Sequence, residues 1–177
     1  MMRINAMLER RKDDSGFTLI ELMVVVLIIG ILIAIAIPTF LGARKRAQDR
    51  AAQSSLRNTV TAAKTIYTDH EDYTQATTTA LSSAEPSLTF VAKGTGVTTG
   101  QAPNTVSVDP FATSQFYAAA RSASGTCWYI GDDLRTGLAT SGTKWGTNTA
   151  PTTCAAVNAE TTAPSGADPS TANTVTG

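Results

Sequence analysis

Residues 16–38 read GFTLIELMVVVLIIGILIAIAIP, and the fold turns on how this stretch is understood. Between Phe17 and Ile37 the only polar side chains are Thr18 and Glu21, and from Leu22 to Ile37 there is none. A helix advances about 1.5 Å per residue, so about 20 apolar residues cross the hydrocarbon layer of a bilayer. This run is long enough. Before it stands a short polar leader carrying Arg3, Arg10, Arg11 and Lys12, then Asp13, Asp14, Ser15 and Gly16. A secretory signal peptide would account for the basic start, and Ala34-Ile35-Ala36 imitates its cleavage site. Against that reading, the apolar run exceeds the usual core of about 7–15 residues, Glu21 intrudes, and Pro38 follows the supposed cut. A plain membrane anchor explains the length but leaves Glu21 unexplained.

Downstream of Pro38 the pattern changes. Ala52, Leu56, Val60, Ala63 and Tyr67 recur at spacings of four and three, one face of a helix, with Arg46, Asp49, Arg50, Gln53, Arg57, Asn58 and Lys64 between them. One long helix is predicted over 17–68, stopping where Asp69, Glu71 and Asp72 oppose the negative end of the helix dipole. Residues 74–105 are rich in Thr, Ser and Gly and read as a connecting loop with one short strand at 87–92. Further strand-like runs lie at 104–108, 114–121 and 126–131, separated by Asp109-Pro110 and Ser124-Gly125 turns. The expected fold class is α+β: a long N-terminal helix whose amphipathic half covers one face of a small antiparallel sheet. Residues 156–177 hold Ala, Thr, Pro, Ser and Gly with almost nothing to bury, and read as a disordered tail.

The order of residues at the head of the apolar run carries more than its hydropathy. A polar leader ends in Gly16, an aromatic residue follows, and an acid stands four positions later. Gly16-Phe17-Thr18-Leu19-Ile20-Glu21-Leu22-Met23 resembles the cleavage and methylation motif of the type IV pilin family, and Gly30 and Pro38 stand where that family usually has a glycine and a proline. The likeness is strong from Ser15 to about Phe40, weaker through the amphipathic half and only architectural beyond Tyr73. It implies a prepilin leader over 1–16, a transmembrane and assembly half over 17–40, an amphipathic half over 41–72 and a globular head over 73–155. It also implies cutting between Gly16 and Phe17 by a prepilin peptidase on the cytoplasmic side, then N-methylation of Phe17. The implied partners are other pilin subunits in a homopolymer, the membrane, and a pilus assembly platform with its ATPase. The implied location is the cytoplasmic membrane for the precursor and the cell surface for the fibre.

Within this frame Glu21 has the sharpest physical argument. A carboxylate in hydrocarbon costs a few kcal/mol and usually has a named partner, yet nothing basic lies between Phe17 and Pro38. The available cation is the new amino group of Phe17, from the same chain or a neighbour, and such a pair would set register between subunits. A carboxyl resting at the headgroup interface is the alternative. Gly30 and Pro38 weaken the helix between them, giving either a modest kink or, by resemblance, local unwinding in the fibre. Cys127 and Cys154 lie in the segment that the resemblance places outside the cell, where an even pair reads as one disulfide rather than two buried thiols.

Several function classes find no support. Net charge is zero, with 14 basic and 14 acidic residues, and from Thr74 onward the scattered Lys93, Arg121, Arg135 and Lys144 make no clustered basic face for a nucleic-acid partner. The single histidine, His70, stands among Asp69, Glu71 and Asp72, neighbours that point in different directions around a helix. No catalytic set and no phosphate-binding glycine loop occurs, so neither an enzyme nor a cofactor is expected. Asp109, Asp132 and Asp133 have the chemistry for calcium. The related pseudopilins of type II secretion carry such a site in this region. This chain has a cysteine pair there instead, and no metal is expected. A type II secretion pseudopilin and a membrane-anchored surface protein of another role remain the other readings.

Overall fold

The structure is a computed structural model that describes residues 16–98, 101, 104–136, 141–149 and 153–156. The chain divides into two compact units between Gly42 and Ala43. One helix, α1 (Leu19–His70), runs through both, with Pro38 inside it. Its end falls within the acidic run expected to stop it. There Glu71 adopts a left-handed conformation (φ 54°) and its N–H donates to the carbonyl of Tyr67, 2.6 Å away, closing the last turn.

In the second unit α1 buries Ala52, Leu56, Val60, Ala63 and Ile66, close to the predicted stripe. After a single 3-10 turn at Tyr73–Gln75 comes a short helix, α2 (Thr78–Ala84), within the region read as loop. Thr77 caps it, accepting from the Ala80 N–H at 3.3 Å, and Leu81 is fully buried. Five strands follow: β1 (Thr89–Ala92), β2 (Thr105–Ala112), β3 (Gln115–Arg121), β4 (Cys127–Asp133) and β5 (Gly142–Asn148). They form one sheet in the order β1-β2-β3-β4-β5.

The α+β arrangement expected from sequence is present, with three differences in the sheet. It is mixed, because β1 pairs parallel to β2 while the remaining neighbours are antiparallel. Parallel neighbours need a long return connection. Here it lies between Ala92 and Thr105, and Val97 within it exchanges backbone bonds with Cys154 at 2.7 and 3.3 Å. The predicted turn at Asp109-Pro110 is strand instead. Pro110 is tolerated because the β2–β3 register shifts between Asp109 and Ala112, where the ladder asks for no N–H. Finally, β5 lies beyond the last of the strand-like runs expected from sequence. Trp145, paired with Ile130 and buried, supplies the apolar anchor that the local composition hides.

Alternation along the strands explains why all seven residues of β4 are buried. Val106, Val108, Phe116, Trp128 and Ile130 pack with the stripe of α1. On the opposite face Ala119, Cys127 and Tyr129 pack with Val97 and Cys154. Cys127 and Cys154 are joined as a disulfide with Cα atoms 5.6 Å apart. Ala156, placed in the expected tail, is buried, and its N–H donates to Ser107 Oγ at 3.1 Å. The rest of that tail, and the expected leader up to Ser15, lie outside the described residues.

Candidate functional site

The segment from Gly16 to Leu41 is the candidate site. Gly16, Phe17 and Thr18 precede the first helical residue, and every residue from Gly16 to Leu41 is exposed. Phe17 is 71% exposed and Ile35 66%, values opposite to those of ordinary core residues. By length and composition α1 can cross a membrane. A Cβ built on Gly16 or on Gly30 meets no atom within 4 Å. Packing against the described residues therefore gives no reason for glycine at either place.

Thr18 and Glu21 are brought together. The Thr18 N–H and hydroxyl donate to Glu21 Oε2 at 3.0 and 2.7 Å, and the Glu21 N–H donates back to Thr18 Oγ1 at 3.2 Å. This is a reciprocal capping box, which satisfies donors that the first turn of a helix otherwise leaves free. Sequence reasoning looked for a cationic partner for Glu21 and missed this local one, although Thr-x-x-Glu before an apolar run is its signature. The negative carboxylate also suits the positive end of the helix dipole. At Pro38 the ring removes a backbone donor, and one residue on the Thr39 hydroxyl donates to the Ile35 carbonyl at 3.0 Å. Gly30 and Pro38 share the helix with Glu21 but are not brought to it.

The remaining candidate residues lie in the second unit. His70 is the exposed last residue of α1, and among the described residues no three His, Cys, Asp or Glu side chains converge. The three aspartates considered for calcium are held by cations of the chain itself. Asp109 lies 2.8 Å from Lys93 Nζ, and Asp133 lies 2.6 Å from Arg135. Asp132, 1% exposed, lies 2.9 Å from Lys64 Nζ, and accepts from the Tyr73 hydroxyl at 2.6 Å and from the Thr143 hydroxyl. Being adjacent on β4, Asp132 and Asp133 face opposite sides of the sheet and cannot share an ion. The cluster around Asp132 joins four distant chain segments, which is why no local pattern announced it.

Residues 11–37 match the family model for the prokaryotic N-terminal methylation motif. The N-terminal segment thus carries a prokaryotic methylation motif. About a third of the chain also matches curated proteins. The chain is 47% identical over 60 residues to the type IV major pilin protein PilA of Myxococcus xanthus, covering 34% of this chain and 27% of that one. It is 43% identical over 63 residues to the type IV wide pilus major component PilA4 of Thermus thermophilus, covering 36% and 48%. A 38% identity over 47 residues links it to the type II secretion system core protein G of Aeromonas hydrophila, covering 27% and 33%. The matches thus span less than half the length of each of these relatives. No solved structure matches the chain significantly.

Proposed function

We propose that the chain is a structural subunit of a type IV pilus, carrying no catalysis of its own. A prepilin peptidase cuts between Gly16 and Phe17 and methylates the new terminus of Phe17. Residues 17–40 then hold the subunit in the cytoplasmic membrane and later pack against other copies in the fibre, driven by an assembly platform and its ATPase. Residues 41–72 and 73–155 form the amphipathic half-helix and the head. One observation carries this reading: an exposed apolar stretch of α1 up to Leu41 whose first turn holds an acid in a capping box, directly after Gly16-Phe17, in a segment matching the methylation motif.

Gly16 supports the assignment of the cut. No described residue crowds a Cβ at Gly16, and its lack of one suits an external contact, such as the close approach of a peptidase. Mass spectrometry of the mature N-terminus tests it. A methylated Phe17 is expected, Gly16→Val abolishes it, and a terminus at Met1 or Ile37 rejects the reading. Glu21 takes the assembly role: Glu21→Ala spares insertion, since losing the charge eases entry into hydrocarbon, but lowers the yield of sheared fibre. A parental fibre yield in that variant confines Glu21 to capping.

The likeness to the type II secretion core protein favours a second reading, a pseudopilin that forms a short periplasmic fibre. Long surface filaments shed by shearing and seen by electron cryomicroscopy support the pilus; their absence in piliated conditions supports the pseudopilus. A head whose melting is insensitive to calcium chelation agrees with Lys93, Lys64 and Arg135 already holding the three aspartates.

A further inference from the structure

Among the described residues, every lysine and arginine after Arg50 has an internal partner. Arg57 lies over the Trp145 ring at 5.5 Å, Lys64, Lys93 and Arg135 pair with aspartates, and Arg121 and Lys144 also interact within the chain. Arg44, Lys45, Arg46 and Arg50 differ. All four are exposed on α1, and no described residue gives them a carboxylate, a ring or a hydrogen-bond acceptor. The acid between them, Asp49, is only half exposed and accepts from Ser124 Oγ at 2.5 Å, so its carboxylate is turned to the head. Four unpaired cations therefore stand within seven positions of a chain whose net charge is zero.

Their placement identifies what they meet. Arg44 follows Leu41, the last of the exposed large apolar residues of α1, by three positions. At about 1.5 Å per residue the four lie roughly 5–13 Å along the helix beyond Leu41. The polar layer of a bilayer is about 5–8 Å thick on each side, and long basic side chains bend along the helix to reach it. Their directions matter as well. At about 100° per residue, Arg44, Lys45, Arg46 and Arg50 spread around roughly 240° of the helix. A flat protein surface would meet one side of such a ring, whereas a headgroup layer surrounds the helix on all sides.

We infer that Arg44, Lys45, Arg46 and Arg50 form a collar that binds anionic phospholipid headgroups while the subunit waits in the membrane. The inference rests on the membrane-spanning reading above and adds a lipid preference to it. Each cation near an anionic surface contributes about a fivefold preference, so two or three reaching the layer give at least about tenfold.

The full-length precursor in phosphatidylcholine nanodiscs doped with headgroup-photoactivatable phosphatidylglycerol tests this. Crosslinks are expected on peptides covering 42–52, about tenfold above those from a phosphatidylcholine probe labelled at the same place. R44Q/K45Q/R46Q/R50Q should lose that excess, while R44K/R46K/R50K keeps it, separating charge from folding. Crosslinks on the basic leader serve as the internal reference. Leader crosslinks without any at 42–52 overturn the collar alone. No crosslinks anywhere remove the membrane reading as well. Unchanged crosslinks in the glutamine variant, with fibre lost, overturn the collar in favour of a contact between subunits.

Discussion

In α1 the residues of greatest hydropathy are the uncovered ones, while smaller residues further along the same helix are buried. Leu32 and Ile35 are 61% and 66% exposed; Ala52 and Leu56 are 2% and 0% exposed. The first stretch is apolar on all sides, a pattern that suits a helix with another medium around it. The second is apolar on one face only and polar on the rest, and its own sheet covers that face. Hydropathy alone therefore reports which solvent a segment is made for, and periodicity reports whether the chain supplies the cover. The two stretches should fail independently. Trp128 and Trp145, the two tryptophans of the chain, both lie in the head, so their fluorescence reports the second unit alone.

The largest effect is expected at the disulfide. It closes a separation of 27 residues, and Cys127→Ser with Cys154→Ser should cost the head about 3–4 kcal/mol in denaturant unfolding by tryptophan fluorescence. Insertion of the precursor into membranes should be unchanged. If the double variant inserts poorly, the two units are less independent than their opposite burial implies. The pairing was legible because two cysteines admit only one bridge. The face it covers was not, since Val97, Ala119 and Tyr129 meet it only through the sheet.

Asp132→Ala comes next, at about 2–3 kcal/mol. It removes hydrogen bonds to a charged acceptor and leaves the buried Tyr73 hydroxyl without its partner. Lys64 is nearly half exposed, so its freed charge can reach solvent and adds little. Burial first, and the hydrogen bond to Asp132 second, push the Tyr73 phenol above its ordinary range. An unfolded tyrosine loses its proton near pH 10, while the folded one keeps it. This contribution is thus full below about pH 10 and falls as pH rises toward the folded value. Tyr73→Phe should flatten that alkaline decline in the melting profile.

What could be read from the sequence follows the range of the interactions. The span, the stripe from Ala52 to Val60 and strands β3 and β4 each rest on a local period or on turn residues, and all were visible. Strand β5, the parallel pairing of β1 and the Asp132 cluster depend on residues far apart in the chain, such as Lys64 with Thr143, 3.2 Å apart. Local propensity carries no information on such pairings. Gly96 belongs with these. A Cβ there would stand 2.8 Å from the Cβ of Thr153, next to the Val97–Cys154 bridge. Because that atom is close to the backbone and cannot swing aside, Gly96→Ala should cost about 1–2 kcal/mol of head stability, read by the same unfolding curve.

The smallest effect is expected at the other end of α1. Thr18→Ala removes the hydroxyl that both donates to Glu21 Oε2 and accepts from the Glu21 N–H, while the Thr18 backbone N–H can still reach the carboxylate. Losing a side-chain cap of this kind costs about 1 kcal/mol of local helix stability. The expected readout is faster amide hydrogen exchange at residues 19–22, with tryptophan-monitored unfolding of the head unchanged. Thr18→Ser, which keeps the hydroxyl, should restore slow exchange. Cutting before Phe17 would leave the Thr18 N–H and hydroxyl intact, so the capping box should persist in the mature chain and hold Glu21 at the first turn. A Thr18→Ala chain that exchanges like the parent would show that the backbone bond alone fixes Glu21. A shift in the tryptophan transition would instead show that a loss at the first turn of α1 is felt in the head, and the contrast between the two halves of the helix would fail.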